Sequence, residues 1–232
     1  GFKMGGIEYG AIARQASGCS IIDVSNPAFP SVRVTLTPNA PDIYVQDVKV
    51  YKGYLYFTDE DAENPVGVYV YDVSGLPSTD PTLVASINDS RAESVHNINL
   101  ATIGGRDYLF CSSNTSNHLE IFDVTTPSSW SHVASYTGAA PEADIHDVMV
   151  EGTRAYVSFL PGGFDIVDVS TPSSPARLAT EDYFDAFTHN AWPSPDGKFL
   201  YTTDEVPKGH VRVWDIQDLS NITQVAEYDT RV

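Results

Sequence analysis

Three short stretches of this chain open on histidine followed by an amide or a carboxylate: His96-Asn97, His146-Asp147 and His189-Asn190, with Gln46-Asp47 at the corresponding earlier place. The histidines stand 50 and 43 residues apart, a distance the fold must close before they can act together. Converging imidazoles suit a borderline transition metal such as Zn, Cu, Fe or Ni. Carboxylates a few residues upstream, Glu93, Asp144 and Asp185, could orient the rings. A structural reading competes: a repeated His-Asn or His-Asp can clasp the backbone of the next unit, since buried polar groups need partners. Repetition favours the clasp, which would be duplicated with the unit. Geometry separates the two, because shared ligation brings ring nitrogens within about 4–5 Å of one another.

Two acidic loops offer oxygen donors. One runs Thr58-Asp59-Glu60-Asp61-Ala62-Glu63-Asn64 and the other Thr202-Thr203-Asp204-Glu205. Asp59, Glu60, Asp204 and Glu205 are the candidate Ca²⁺ ligands. Neither loop matches an EF-hand or a nonapeptide calcium repeat, so solvated acidic loops are the competing reading. His118, His132 and His210 share no repeat position and read as surface or edge residues. No Gly-x-Ser-x-Gly elbow, P-loop, dinucleotide glycine fingerprint or His-Glu-x-x-His is present, so no catalytic residue and no organic-cofactor site is assigned.

The elements that would position these groups are legible as a repeat. Five apolar strands end alike, at Asp23, Asp72, Asp123, Asp168 and Asp215, each within a motif such as Ile166-Val167-Asp168-Val169. Spacings of 49, 51, 45 and 47 residues mark a repeat architecture. The aspartates themselves read as structural, each bonding the turn that follows. Within the fourth unit, 144–150, 154–159, 164–169 and 176–180 are successive strands separated by Glu151-Gly152, Pro161-Gly162-Gly163 and Ser170-Thr171-Pro172. No amphipathic helical stretch of ten or more residues is visible. The class is all-β, and four antiparallel strands per unit make the blade of a β-propeller. In a propeller the first strand of each blade lines the axis, so the three histidines fall on one ring.

The chain reads as a single propeller domain over 1–232, with a partial blade at 1–40 and full blades at about 41–90, 91–140, 141–184 and 185–232. The first lacks a recognisable first strand. Either Asp229–Val232 supplies it and the ring closes at five, or the chain belongs to a larger ring; six blades is the expectation, four residues being too few for a good closing strand. An open ring also raises the prospect of an oligomer or a partner subunit that completes it.

Thirteen Lys and Arg against 31 Asp and Glu give a formal charge of −18, which disfavours nucleic acid and anionic membranes and favours divalent cations and basic partners. Solubility in a saline or extracellular setting is the favoured reading of the charge. No apolar run approaches the ~18–20 residues of a membrane span. Cys19 and Cys111 lie two blades apart, too far for a bridge, and read as separate buried thiols.

Ile21 to Pro30 (Ile-Ile-Asp-Val-Ser-Asn-Pro-Ala-Phe-Pro), together with His146 to Val157, resembles the LVIVD repeat. The order of Gln46-Asp47-Val48-Lys49-Val50-Tyr51-Lys52, Val95-His96-Asn97-Ile98, Phe187-Thr188-His189-Asn190-Ala191-Trp192 and Thr202-Thr203-Asp204-Glu205 resembles the propeller of the choice-of-anchor B surface proteins. That resemblance implies an exported, cell-surface location and no defined activity. Two functions are therefore carried forward. One is a binding or scaffolding module for a protein or surface partner in an extracellular assembly. The other is a metal-dependent oxidoreductase or hydrolase with the histidines at the channel mouth.

Overall fold

Phe2, Lys3 and Met4 turn back through Gly5-Gly6 to pair with Tyr9, Glu8 and Ile7, giving the first unit the strand its sequence does not advertise. The structure is a computed structural model that describes residues 1–38, 43–61, 63, 66–139 and 144–229. The expected closing segment therefore lies, after Asp229, outside the described residues, as do parts of the first acidic loop. Each unit is a four-stranded antiparallel sheet in chain order. Blade 1 holds β1 (Phe2–Met4), β2 (Ile7–Ala13), β3 (Cys19–Asp23) and β4 (Ser31–Leu36), and blade 2 holds β5 (Val48–Tyr51), β6 (Tyr54–Thr58), β7 (Val68–Asp72) and β8 (Thr82–Ile87). Blade 3 holds β9 (Val95–Ile103), β10 (Arg106–Ser113), β11 (His118–Asp123) and β12 (Ser131–Tyr136). Blade 4 comprises β13 (Ile145–Glu151), β14 (Arg154–Phe159), β15 (Phe164–Asp168) and β16 (Ala176–Glu181). Blade 5 comprises β17 (Thr188–Pro193), β18 (Phe199–Asp204), β19 (His210–Asp215) and β20 (Thr223–Asp229). The first blade is thus four-stranded, which corrects the partial blade expected from the sequence: three residues are too few to show a period. The one helical element among the described residues is a 3-10 turn at Pro127–Ser129. Among the described residues no helix is long and apolar enough to cross a membrane.

The strand-ending aspartates behave as their repetition suggests. Asp23, Asp72, Asp123, Asp168 and Asp215 each accept, through Oδ1, the backbone N–H two residues on, at 2.8–3.0 Å. A bulge lies just before each of them, between the third and fourth strands of every blade, and adds local twist. Gly18 and Gly163, at φ 79° and 72°, fill one equivalent hairpin position, where a Cβ would collide with the carbonyls of Leu36 and Glu181. A side chain there would have to push the fourth strand away.

Apolar faces of consecutive sheets make four cores. Tyr9 and Ile21 meet Leu55 and Phe57 between blades 1 and 2, and Tyr56 and Val70 meet Leu109 and Cys111 between blades 2 and 3. Phe110 and Ile121 meet Val157 and Val167 between blades 3 and 4, and Tyr156 and Ile166 meet Leu200 and Trp214 between blades 4 and 5. Burying one such large side chain contributes roughly 1.5–3 kcal/mol. The first strands pack on one another in succession, β5 on β9, β9 on β13 and β13 on β17, as strands around a common axis do. Cys19 and Cys111 are buried, unbridged thiols in different interblade cores. Burial pushes Cys19 up to about 12 and Cys111 well above the ordinary thiol value.

Candidate functional site

Each histidine of the repeat sits on a bulge. In blade 3, His96 and Asn97 together oppose the single residue Ser112; in blades 4 and 5, His146 and His189 are the extra residues. Bulges turn a side chain off the ladder's alternation, which lets neighbouring blades aim histidines at the same point. The ring centroids of His96 and His146 are 4.3 Å apart, and those of His146 and His189 are 4.5 Å apart.

The backbone around these bulges is clasped between blades. Thr58 Oγ1 donates to the His96 carbonyl at 3.2 Å, and Ser112 Oγ donates to the His146 carbonyl at 3.0 Å. Asn97 Nδ2 reaches the His146 carbonyl as well, at 3.1 Å, and His146 Nδ1 donates to the His189 carbonyl at 2.9 Å. Asp47, in the equivalent place of blade 2, accepts Ile98 N–H of the next blade at 3.1 Å through Oδ2. His146 therefore clasps the next blade with one nitrogen while the other stays open: Nε2 points at Glu205 Oε2, 3.4 Å away.

The acidic stretches at the ends of β6 and β18 divide their carboxylates between core and mouth. Glu60 and Glu205 face the mouth, whereas their neighbours Asp59 and Asp204 turn inward. Asp59 is fully buried and accepts the N–H groups of Tyr44 and Asp61 at 2.9 and 3.0 Å. Asp204 accepts from Tyr183 Oη at 2.7 Å and pairs with the Arg212 guanidinium. Glu60 is wholly engaged by hydrogen bonds, each at 2.7 Å, with His96 Nδ1, Gln46 Nε2 and Asn114 Nδ2. Burial opposes charge on Glu60, but these donors outweigh it and hold the carboxyl below its usual range. Burial likewise works against charge on His96, and Glu60 reverses the balance and raises it. His146 goes the other way, lowered by burial first and by His96 second. One row deeper, burial raises Asp147.

Among the described residues, His146, His189 and Glu205 form a group whose ligand atoms all lie within 4.8 Å of one another. His96 lies beside this group, its ring tilted against that of His146, but is held by Glu60. The mouth is a cleft of about 460 Å³ lined by Glu60, His96, Asn114, Asp144, His146 and Glu205. Asp144 is thus the upstream carboxylate that reaches the cleft. Asp185 lies in a larger cleft of about 530 Å³ beside blade 5, shared with Tyr183, Asp204, His210, Arg212 and Glu227. That cleft is wider but chemically quieter, because its Arg212 is already paired with Asp204 and Glu227 and stacked on Tyr183 at 4.6 Å.

The sequence reading missed a second polar set. Three residues before each repeated aspartate, Ser20, Tyr69, Glu120, Asp165 and Arg212 are buried in otherwise apolar strands. The signal was there as one polar residue recurring at a fixed place in the third strand. Glu120 accepts from Ser116 Oγ at 2.8 Å and Ser135 Oγ at 2.6 Å, and pairs with His132 Nε2 at 2.7 Å. His118 Nδ1 stands 3.8 Å from its other oxygen.

Three segments of the chain, 8–36, 44–89 and 143–179, match the LVIVD repeat. The chain carries LVIVD repeats. No curated protein matches it in sequence. Among solved structures, the periplasmic gluconolactonase of Pseudomonas aeruginosa is similar at TM-score 0.73 and 16% identity over 97% of this chain and 69% of its own. The computationally designed Ika8 protein is similar at TM-score 0.66 and 9% identity over 94% of this chain, which spans 58% of that one. The dihydro-heme d1 dehydrogenase NirN is similar at TM-score 0.62 and 12% identity, with 96% of this chain and 45% of that chain covered. At these identities the likeness concerns the fold: the LVIVD repeats of this chain build propeller blades.

Proposed function

We propose that this LVIVD-repeat propeller is an exported, cell-surface binding module whose recognition site is the axial cleft, and that its partner presents a cationic group, such as a Lys or Arg side chain of a basic protein segment. One observation carries the reading. Glu60, Asp144 and Glu205, from three blades, line a single open cleft on a chain of formal charge −18. Carboxylates that converge within low-dielectric walls focus potential on a cation and raise its local concentration. The LVIVD repeats and the resemblance to choice-of-anchor B propellers support the exported location. Fluorescence anisotropy with a labelled Arg-rich peptide and chelator-treated protein tests the site. The combined Glu60→Gln, Asp144→Asn and Glu205→Gln variant should bind at least about tenfold more weakly at low salt. Equal affinity for variant and wild type contradicts the reading.

A second reading, a metal-dependent hydrolase, is favoured by the pairing of a His-His-Glu group with the His96–Glu60 couple at its edge. Hydrolysis of gluconolactone by the Zn²⁺-supplemented protein, abolished by Glu205→Gln, supports it. A rate equal to that of Zn²⁺ alone contradicts it.

A further inference from the structure

We propose that His146, His189 and Glu205 form a binding site for a divalent transition-metal ion, Zn²⁺ or one of like ligand preference. The proposal goes beyond the reading of the axial cleft as a recognition site: the ion takes Glu205, for which a partner's cationic group would have to compete.

The argument begins with a tautomer. The His189 carbonyl can only accept, so the 2.9 Å contact puts the proton of His146 on Nδ1. Nε2 then carries a lone pair, and it faces a carboxylate oxygen, Glu205 Oε2, at 3.4 Å. Two such atoms are satisfied together by one cation between them, either a second proton on His146 or a metal ion. Two ligands bound at ~2.0–2.1 Å to one tetrahedral ion lie roughly 3.3–3.4 Å apart, which is the separation present. An imidazole whose far N–H is pinned on a backbone carbonyl is also the usual support of a metal-bound histidine, since it fixes tautomer and ring orientation. His189 supplies the third donor from the adjacent blade.

The donor set selects the ion. Two imidazoles and one carboxylate suit Zn²⁺, and a hard cation such as Ca²⁺ would want six or more oxygens. The buried and exposed parts of the site differ usefully. The His146 side chain is 7% exposed and held by its clasp, whereas Glu205 is 54% exposed on the loop after β18 and leaves one side of the ion open to the cleft. The site differs from the three-histidine ring suggested by the repeat, because Glu60 holds His96 Nδ1 at 2.7 Å and Glu205 takes the place left over.

Titration calorimetry with Zn²⁺, and visible absorption with Co²⁺, test the site on chelator-treated protein. The expected result is one ion per chain with the intense Co²⁺ bands of four- or five-coordination. Glu205→Gln, on an exposed loop, should keep the fold and weaken binding at least about tenfold, and His146→Ala should do the same or worse. His96→Ala should change affinity by less than about threefold. Absence of a one-to-one ion, or a loss at His96→Ala equal to that at Glu205→Gln, overturns the proposal. Peptide binding without ion binding in the same samples leaves the recognition reading standing and sinks this one; ion binding without peptide binding supports this one and sinks the other.

Discussion

Two histidine–carboxylate clusters in this molecule use the same residue types to opposite ends. At the rim of blade 3, Glu120 is fully buried, and Ser116, Ser135 and His132 occupy its oxygens. At the axial mouth, His146 Nε2 and Glu205 Oε2 face each other at 3.4 Å, and the carboxylate is half in solvent. The first cluster is closed and complete, so its chemistry is spent on holding β11 and β12 together. The second is held rigid at one end and left open at the other. Residue identity does not separate structure from site; the satisfaction of each polar atom does.

Glu120→Ala should produce the largest effect, a loss of about 2 kcal/mol in denaturant unfolding, because it removes the fully buried carboxylate that His132, Ser116 and Ser135 share. Glu205→Gln, measured beside it in metal-free buffer, should stay within about 0.5 kcal/mol of wild type. Comparable losses at both positions would erase the distinction drawn here.

A pH comparison sharpens the same contrast within the mouth. His96 is raised, so its contribution is whole below its unfolded value and fades as pH climbs through the folded one. Glu60 is lowered, so its contribution is present above its unfolded value and fades as pH falls through the folded one. The two overlap in mildly acidic solution. Lowered His146 has the reverse dependence to His96, adding stability as pH rises towards the unfolded imidazole value. Glu60→Gln should therefore lower Tm more at pH 6 than at pH 8. A drop of the same size at both values would show that Glu60 acts by hydrogen bonding alone, without the His96 charge.

The smallest effect belongs to the repeat itself. Asp168→Ala removes one solvent-facing side-chain acceptor for Ser170 N–H and should lower Tm only slightly, without altering metal or peptide binding. A change in either binding measurement would mean that the turn at Ser170 communicates with the mouth.

How far the sequence reaches into this fold follows from distance along the chain. The repeated aspartates and the histidine position were legible because each is a local pattern copied from blade to blade. Phe2–Met4 was invisible, since three residues before Gly5-Gly6 carry no period. The partnership of His96 with Glu60, 36 residues earlier in the preceding blade, depends on how two blades are set against each other. Asp204 and Glu205 read as one acidic pair, yet Asp204 ends β18 and Glu205 begins the loop after it, and the two ended in different surroundings. His118 and His132 share no repeat position, and they meet only through Glu120, whose role shows once β11 and β12 are paired.

Anomalous diffraction at the zinc edge, from crystals grown with one equivalent of Zn²⁺, addresses the central claim most directly. The account predicts one strong peak between His146 Nε2, His189 and Glu205, with His96 still on Glu60. A peak shared by His96, His146 and His189 with Glu205 turned away, or no peak at the mouth, would contradict it.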